Sequence, residues 1–144
     1  MSIGRICTRT VDVAAPDETT QTAAERMKSR KVGTLVVVDN QQRPIGIVTD
    51  RDLAVCVVAQ GLDPRTTEIE TVMSKVPESV TEDTPIESAL AIMRRGCHRR
   101  LPVVDDDDQL LGLVTLDDIL TLLSEEFQEI GQLLQKESPG SVGL

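Results

Sequence analysis

Gly46 to Asp52 reads GIVTDRD, and Gly112 to Asp118 reads GLVTLDD. The two stretches lie 66 positions apart in a chain of 144 residues. A shift of 66 aligns the two halves without a gap. Asp17 meets Asp83, Ala23 meets Ala89, Met27 meets Met93 and Leu35 meets Leu101. VVD at Val37–Asp39 meets VVD at Val103–Asp105. A repeat of this length implies two copies of one supersecondary unit. One such unit alone buries too little surface to be stable, so the two are expected to pack on each other.

Each half carries the same order of elements. In the first, TVDV alternates apolar and polar residues and predicts a short strand. DETTQTAAERMKSR predicts a helix capped by Asp17 or Thr19, with an apolar stripe of Ala23, Ala24 and Met27. TLVVVD is β-branched and predicts a buried strand. NQQRP is a turn, IGIVT a second strand, and DRDLAVCVVAQG a helix stopped by Gly61. The second half repeats this β-α-β-β-α order, with Pro85 suited to the first turn of its first helix. Residues 62–72 read as the linker. The last helix outruns its counterpart and extends to about Lys136. Leu116, Leu120, Leu123, Phe127, Ile130 and Leu134 follow a heptad-like spacing along it. That seam suits packing on its own domain or contact with a second subunit. The tail ESPGSVGL is expected to be disordered.

Composition narrows the function. Net charge is −9 and aromatic content is one Phe, with no Tyr or Trp. The core must be aliphatic. A nucleic-acid partner is not expected, because phosphate neutralisation needs a basic face. Cys7, Cys56 and Cys97 form no disulfide framework or zinc pattern. The opening MSIGRICTRT lacks the apolar run of a signal peptide, and no stretch is long and apolar enough for a membrane span. The expected setting is cytoplasmic. DDDD at Asp105–Asp108 reads as a solvated turn, since hard-cation loops need more ligands at fixed offsets. Cys97–His98 is adjacent rather than at metal spacing. No activated nucleophile or phosphate loop is visible.

The doubled β-α-β-β-α unit, VVVD and PVVD, and the paired GIVTDRD and GLVTLDD resemble a tandem pair of CBS domains, a Bateman module. The resemblance covers about residues 6–126. It implies an α/β (α+β) fold of two units packed pseudo-twofold through their sheets. The implied division is unit one over 6–62, linker 63–71, unit two over 72–126, and a helical extension and tail over 127–144.

The motif has its own chemistry. A strand ending in Thr leads into a helix whose third residue is Asp. Unpaired N–H groups and the helix dipole at that start favour an anion. The Thr hydroxyl suits a phosphate oxygen, and the carboxylate suits two ribose hydroxyls. In the family the matching residues contact adenosine compounds. Here these are Thr49 and Asp52 in copy one and Thr115 and Asp118 in copy two. Alternatively, Thr bonds the backbone and Asp caps the helix. Arg99 and Arg100 in copy two stand where copy one has Gly33 and Thr34, and the family places such basic residues on phosphate. Arg51 adds positive charge to the first cleft, while Asp117 opposes phosphate in the second. Ser79, Val80 and Thr81 fit the family's adenine-lining strand, whereas Ala15 offers no side-chain hydrogen bond at the matching place.

These readings imply a non-enzymatic regulatory module. Its candidate ligands are AMP, ADP, ATP, NAD and S-adenosylmethionine, with no cofactor required. No effector domain is apparent, so the signal passes to a separate effector protein or through assembly, with a homodimer expected. The alternative is a ligand-free dimerisation scaffold with vestigial clefts.

Overall fold

The computed structural model describes residues 1–75, 78–96 and 98–137. Cys97 and residues 138–144 of the tail expected to be disordered lie outside the described residues, whereas Glu137 is the last residue of a helix.

The first half contains β1 (Val13–Ala14), α1 (Thr20–Arg30), β2 (Thr34–Val38), β3 (Pro44–Thr49) and α2 (Asp50–Asp52). The α2 turn continues as a π-helical segment over Leu53–Val58 and ends before Gly61, whose φ is +70°. A short strand β4 (Ser74–Lys75) follows. The second half contains β5 (Val80–Thr81), α3 (Ile86–Gly96), β6 (Arg100–Val104), β7 (Leu110–Thr115) and α4 (Leu116–Glu137). The expected order holds in both halves.

Local chemistry sets these boundaries. Thr19 caps α1, its Oγ1 accepting from the Thr22 N–H at 3.2 Å. Lys31 ends that helix in the left-handed region, at φ 56°. The hairpins are closed by equivalent aspartates. The Asp39 carboxylate accepts from the Gln41 and Arg43 N–H groups at 2.9 and 3.0 Å. Asp105 does the same for Asp107 and Gln109 at 2.9 and 3.0 Å. The first residue of DDDD therefore builds its turn.

Two sheets result, ordered β1-β2-β3-β4 and β5-β6-β7. Their registers are the same under the 66-residue shift. Thr34 faces Thr49 and Arg100 faces Thr115, and a bulge falls after Val37 and after Val103. Each sheet carries its own aliphatic core. Leu35, Val37 and Val48 are fully buried in the first, and Leu101, Val103 and Val114 in the second.

The leading segments are exchanged. Ile3 is fully buried in the core of the second half, and Ile69 in the core of the first. Thr8 pairs with Leu113 on β7, and Ser74 of β4 pairs with Ile47 on β3. Both pairs of positions are 66-residue equivalents, so the exchange obeys the repeat. Much of the segment read as linker is therefore anchored: residues 69–71 form a 3₁₀ turn around Ile69.

The free edge of β1 is closed by one ion pair. Arg26 donates to the Val13 carbonyl at 2.8 Å and to Glu18 Oε2 at 2.6 Å, while the Ala15 N–H donates to Glu18 Oε1 at 2.7 Å. Arg26, then the Ala15 amide, holds the Glu18 carboxyl below its ordinary range. A depressed carboxyl stabilises the fold above its unfolded pKa, about 4.3, and loses that contribution as pH falls through the folded value. Arg26→Ala should cost roughly 1 kcal/mol at neutral pH. Urea unfolding should show the gap narrowing as pH falls below about 4. A gap that is constant with pH would mean Arg26 acts through Val13 alone.

Candidate functional site

The strand end and helix start of each repeat form a reciprocal cap. The Thr115 N–H donates to Asp118 Oδ2 at 2.9 Å, and the Asp118 N–H donates to Thr115 Oγ1 at 3.1 Å. Thr49 and Asp52 repeat the arrangement at 2.9 and 3.2 Å. The Leu116 N–H donates to the Arg99 carbonyl at 2.8 Å, and the Asp50 N–H to the Gly33 carbonyl at 2.9 Å. This corrects the expectation of unpaired amides at these helix starts. At the second helix start two of the first three N–H groups, Leu116 and Asp118, are already bonded, and at the first all three are, because the neighbouring strand, the cap and the Asp50 carboxylate reach them first. Within the cap pairing, each motif keeps a threonine hydroxyl hydrogen to donate and the aspartate Oδ1 to accept.

Thr115 and Asp118 line a cleft of about 300 Å³. That volume is at the lower end of the range for small-molecule pockets. Its other walls come from the first half: Thr8, Thr10, Val11 and Asp12 on one side, and Val32, Gly33 and Thr34 on the other. The cleft thus joins the motif of one repeat to the leading segment of the other. Asp12 brings a second carboxylate, but Arg30 Nε neutralises it at 2.8 Å.

A second hollow of about 250 Å³ adjoins this one. It is lined by Arg99, Arg100, Thr115, Leu116 and Asp117, so Thr115 borders both. Arg100 faces Thr115 directly across β6 and β7. An Arg99 guanidinium N–H donates to Asp117 Oδ1 at 3.4 Å, and both side chains are largely exposed. Asp117 is therefore partly neutralised by its neighbour, which weakens the expected opposition to phosphate.

The structure does not bring every expected residue to this place. Thr81 faces Val104, at the far end of β6 from Arg100. It lines a separate hollow of about 330 Å³ with Glu82, Asp83 and Asp105. Val80 is buried in the core and Ser79 is half-buried. Ala15 lies in a wider hollow of about 770 Å³ at the β1 edge. None of these four lines the Thr115 cleft, so the Ala15–Thr81 contrast has no bearing on it. Arg51 is exposed beside the first cap, and Thr49 and Asp52 stand at that cap. That Thr8–Asp12 and Gly33–Thr34 are walls of this cleft was not legible in the sequence. Aligning halves pairs each motif with its own half, whereas the cleft pairs it with the other. A thiol nucleophile is not prepared at Cys7, where burial pushes the pKa up and favours the protonated form.

The sequence profile described as the CBS domain matches residues 3–58 and 69–125. The chain belongs to the CBS-domain family. An uncharacterized protein of Methanopyrus kandleri is 38% identical over 120 residues, covering 83% of this chain and 61% of the relative. The chain thus spans under two thirds of that relative's length. The solved CBS domain pair of protein MJ0100, in complex with 5'-methylthioadenosine and S-adenosyl-L-methionine, superposes with a TM-score of 0.75. It is 25% identical, with 88% of this chain and 98% of that chain covered. The structure of CBSX2 in complex with AMP gives a TM-score of 0.70 at 26% identity, covering 86% of this chain and 97% of that one. Two tandem CBS domains form a regulatory module of mixed α/β fold. Among the described residues, no helix is long and apolar enough to cross a membrane.

Proposed function

We propose that this CBS pair senses an adenosine-containing ligand in the cleft at Thr115 and Asp118. The observation that carries the reading is the sharing of Thr115 between the two hollows. A nucleoside seated against Thr8–Asp12 and Thr34 puts its ribose hydroxyls at Asp118 Oδ1. Its phosphate then passes the Thr115 hydroxyl into the hollow of Arg99 and Arg100. Guanidinium forks suit phosphate oxygens there. The AMP, methylthioadenosine and S-adenosylmethionine bound by the neighbours support this class. AMP, ADP, ATP, NAD and S-adenosylmethionine remain the candidates. The equivalent cap at Thr49 and Asp52, with Arg51 beside it, is a second site of the same class. The module works in the cytoplasm as a homodimer, without catalysis, and signals to a separate effector protein or through its assembly. Its units are divided as 6–62 and 72–126, with 63–71 joining them.

The test is calorimetric titration of the purified chain with that ligand panel, preceded by mass spectrometry of small molecules released on denaturation. At least one adenosine phosphate should bind, and Arg99→Ala with Arg100→Ala should weaken AMP by more than tenfold while sparing adenosine. Flat titrations throughout would favour a ligand-free scaffold. One observation supports that second reading: both Thr–Asp pairs already close helix caps, so each motif has a structural use without a ligand.

A further inference from the structure

The polar side chains of the Thr115 cleft are four threonines, Thr8, Thr10, Thr34 and Thr115, and two carboxylates, Asp12 and Asp118. Among the described residues, no Lys, Arg, His, Asn or Gln lines it. A threonine hydroxyl turns to donate or accept, so the side chains of fixed polarity here only accept. Asp118 has its tasks: Oδ2 closes the helix cap, and Oδ1 serves the ribose in the reading above. Asp12 has none. Its side chain is 16% exposed, and Arg30 Nε donates to Oδ1 at 2.8 Å. Among the described residues, Oδ2 has no hydrogen-bond partner. A carboxylate so far withdrawn from water carries that open acceptor at a cost.

We propose that Asp12 is a specificity-determining residue: Oδ2 accepts from the exocyclic amine of the purine and selects adenine over 6-oxo purines. This rests on the seating of a nucleoside in the cleft proposed above. With the ribose at Asp118, the base lies along Thr8–Asp12, and its amine is the donor that an acceptor-only wall asks for. A 6-oxo group there sets its lone pairs against the carboxylate and leaves both unpaired. Two contacts keep Asp12 in place. Arg30 fixes the carboxylate, and the Val36 N–H donates to the Asp12 carbonyl at 3.0 Å. Arg30 is therefore a positioning residue. The repeat supplies a contrast. Glu78 is the 66-residue equivalent of Asp12, and it pairs with Arg95 at 3.3 Å with its side chain 49% exposed. The withdrawn carboxylate thus belongs to the Thr115 cleft and is not imposed by the repeat.

Calorimetric titration of the full chain with AMP, purine riboside 5'-monophosphate, IMP and GMP tests this. Purine riboside 5'-monophosphate lacks only the amine. It should bind roughly ten- to a hundredfold more weakly than AMP, the usual range for one hydrogen bond to a charged group. IMP should be weaker still. Asp12→Ala should bring AMP down to the level of purine riboside 5'-monophosphate and leave the latter little changed. Asp12→Asn can donate to a 6-oxo group, so its preference for AMP over IMP should collapse. Arg30→Gln, at a largely exposed position, should lower that preference severalfold by releasing the carboxylate. Each preference is a ratio between ligands on one sample, so a loss of stability alone does not move it. Equal binding of AMP and purine riboside 5'-monophosphate by the parent overturns the inference while leaving the ligand reading intact. GMP binding as tightly as AMP, or Asp12→Ala keeping the full preference for AMP, overturns it in the same way. Flat titrations with every purine overturn the ligand reading and this inference together.

Discussion

Replacing Asp118 by alanine should weaken AMP binding about a hundredfold, the largest single effect expected in the cleft. The carboxylate does two things. Oδ2 accepts from the Thr115 N–H at 2.9 Å, which fixes the side chain. Oδ1 remains free to accept from the ribose of the proposed ligand. Hydrogen bonds to a charged group contribute roughly 1.5–3 kcal/mol each, and two ribose hydroxyls share this one. Losing them gives about two decades in affinity. The same substitution removes half of the helix cap and should cost about 1 kcal/mol of stability. Asp118→Asn separates the two effects. Its amide oxygen still takes the Thr115 N–H, so stability should stay close to that of the parent, while AMP weakens by roughly tenfold for want of charge. Calorimetry and thermal unfolding on the same samples read both. Full affinity retained in Asp118→Ala would move the ligand to the Thr49–Asp52 cap, where Asp52→Ala becomes the deciding variant.

Much of this architecture is written in local pattern. The doubled GhhT–xxD stretch locates both helix starts, because a threonine followed three residues later by aspartate is a cap that needs nothing distant. The apolar runs at Leu35–Val38 and Leu101–Val104 are buried as their composition demands. The heptad spacing from Leu116 is visible in sequence; Leu116 packs on the second core, while Leu120, Leu123, Phe127, Ile130 and Leu134 are exposed. What local pattern does not carry is the exchange of leading segments. Ile3 looks like any N-terminal aliphatic residue, and Ile69 sits in a polar stretch of Thr and Glu. Only long-range packing shows that each fills the other half's core. The cleft depends on that exchange, since Thr8–Asp12 reach Asp118 by crossing between halves. Ser79–Thr81, expected to line an adenine pocket, do not line the Thr115 cleft. Register places Thr81 beside Val104, four residues along β6 from the residue that faces Thr115.

The exchange also explains the glycine that opens each GhhT motif. A Cβ on Gly112 would come within 2.6 Å of the Thr8 carbonyl oxygen. That oxygen cannot withdraw freely. It accepts from the Leu113 N–H at 2.9 Å, and the Thr8 N–H returns a 2.9 Å bond to the Leu113 carbonyl. Gly112→Ala must therefore break this two-bond bridge or distort β7. The expected cost is about 3 kcal/mol, at the upper end for overpacking. For a chain of this size that lowers the melting temperature by about 10 °C. Gly46 is the repeat partner, yet its surroundings differ. A Cβ there would press on the Met73 side chain, which is flexible, and reach the Ser74 carbonyl only at 3.0 Å. Gly46→Ala should cost about 1 kcal/mol, because the methionine can turn aside. Calorimetric melting of both variants measures the contrast. Because Thr8 and Thr10 form one wall of the cleft, Gly112→Ala should also weaken AMP, measured below its lowered melting point, whereas Gly46→Ala should leave binding at Asp118 unchanged. Equal melting temperatures for the two variants would show that the Thr8 segment is not pinned against β7, and the cross-repeat cleft would lose its wall.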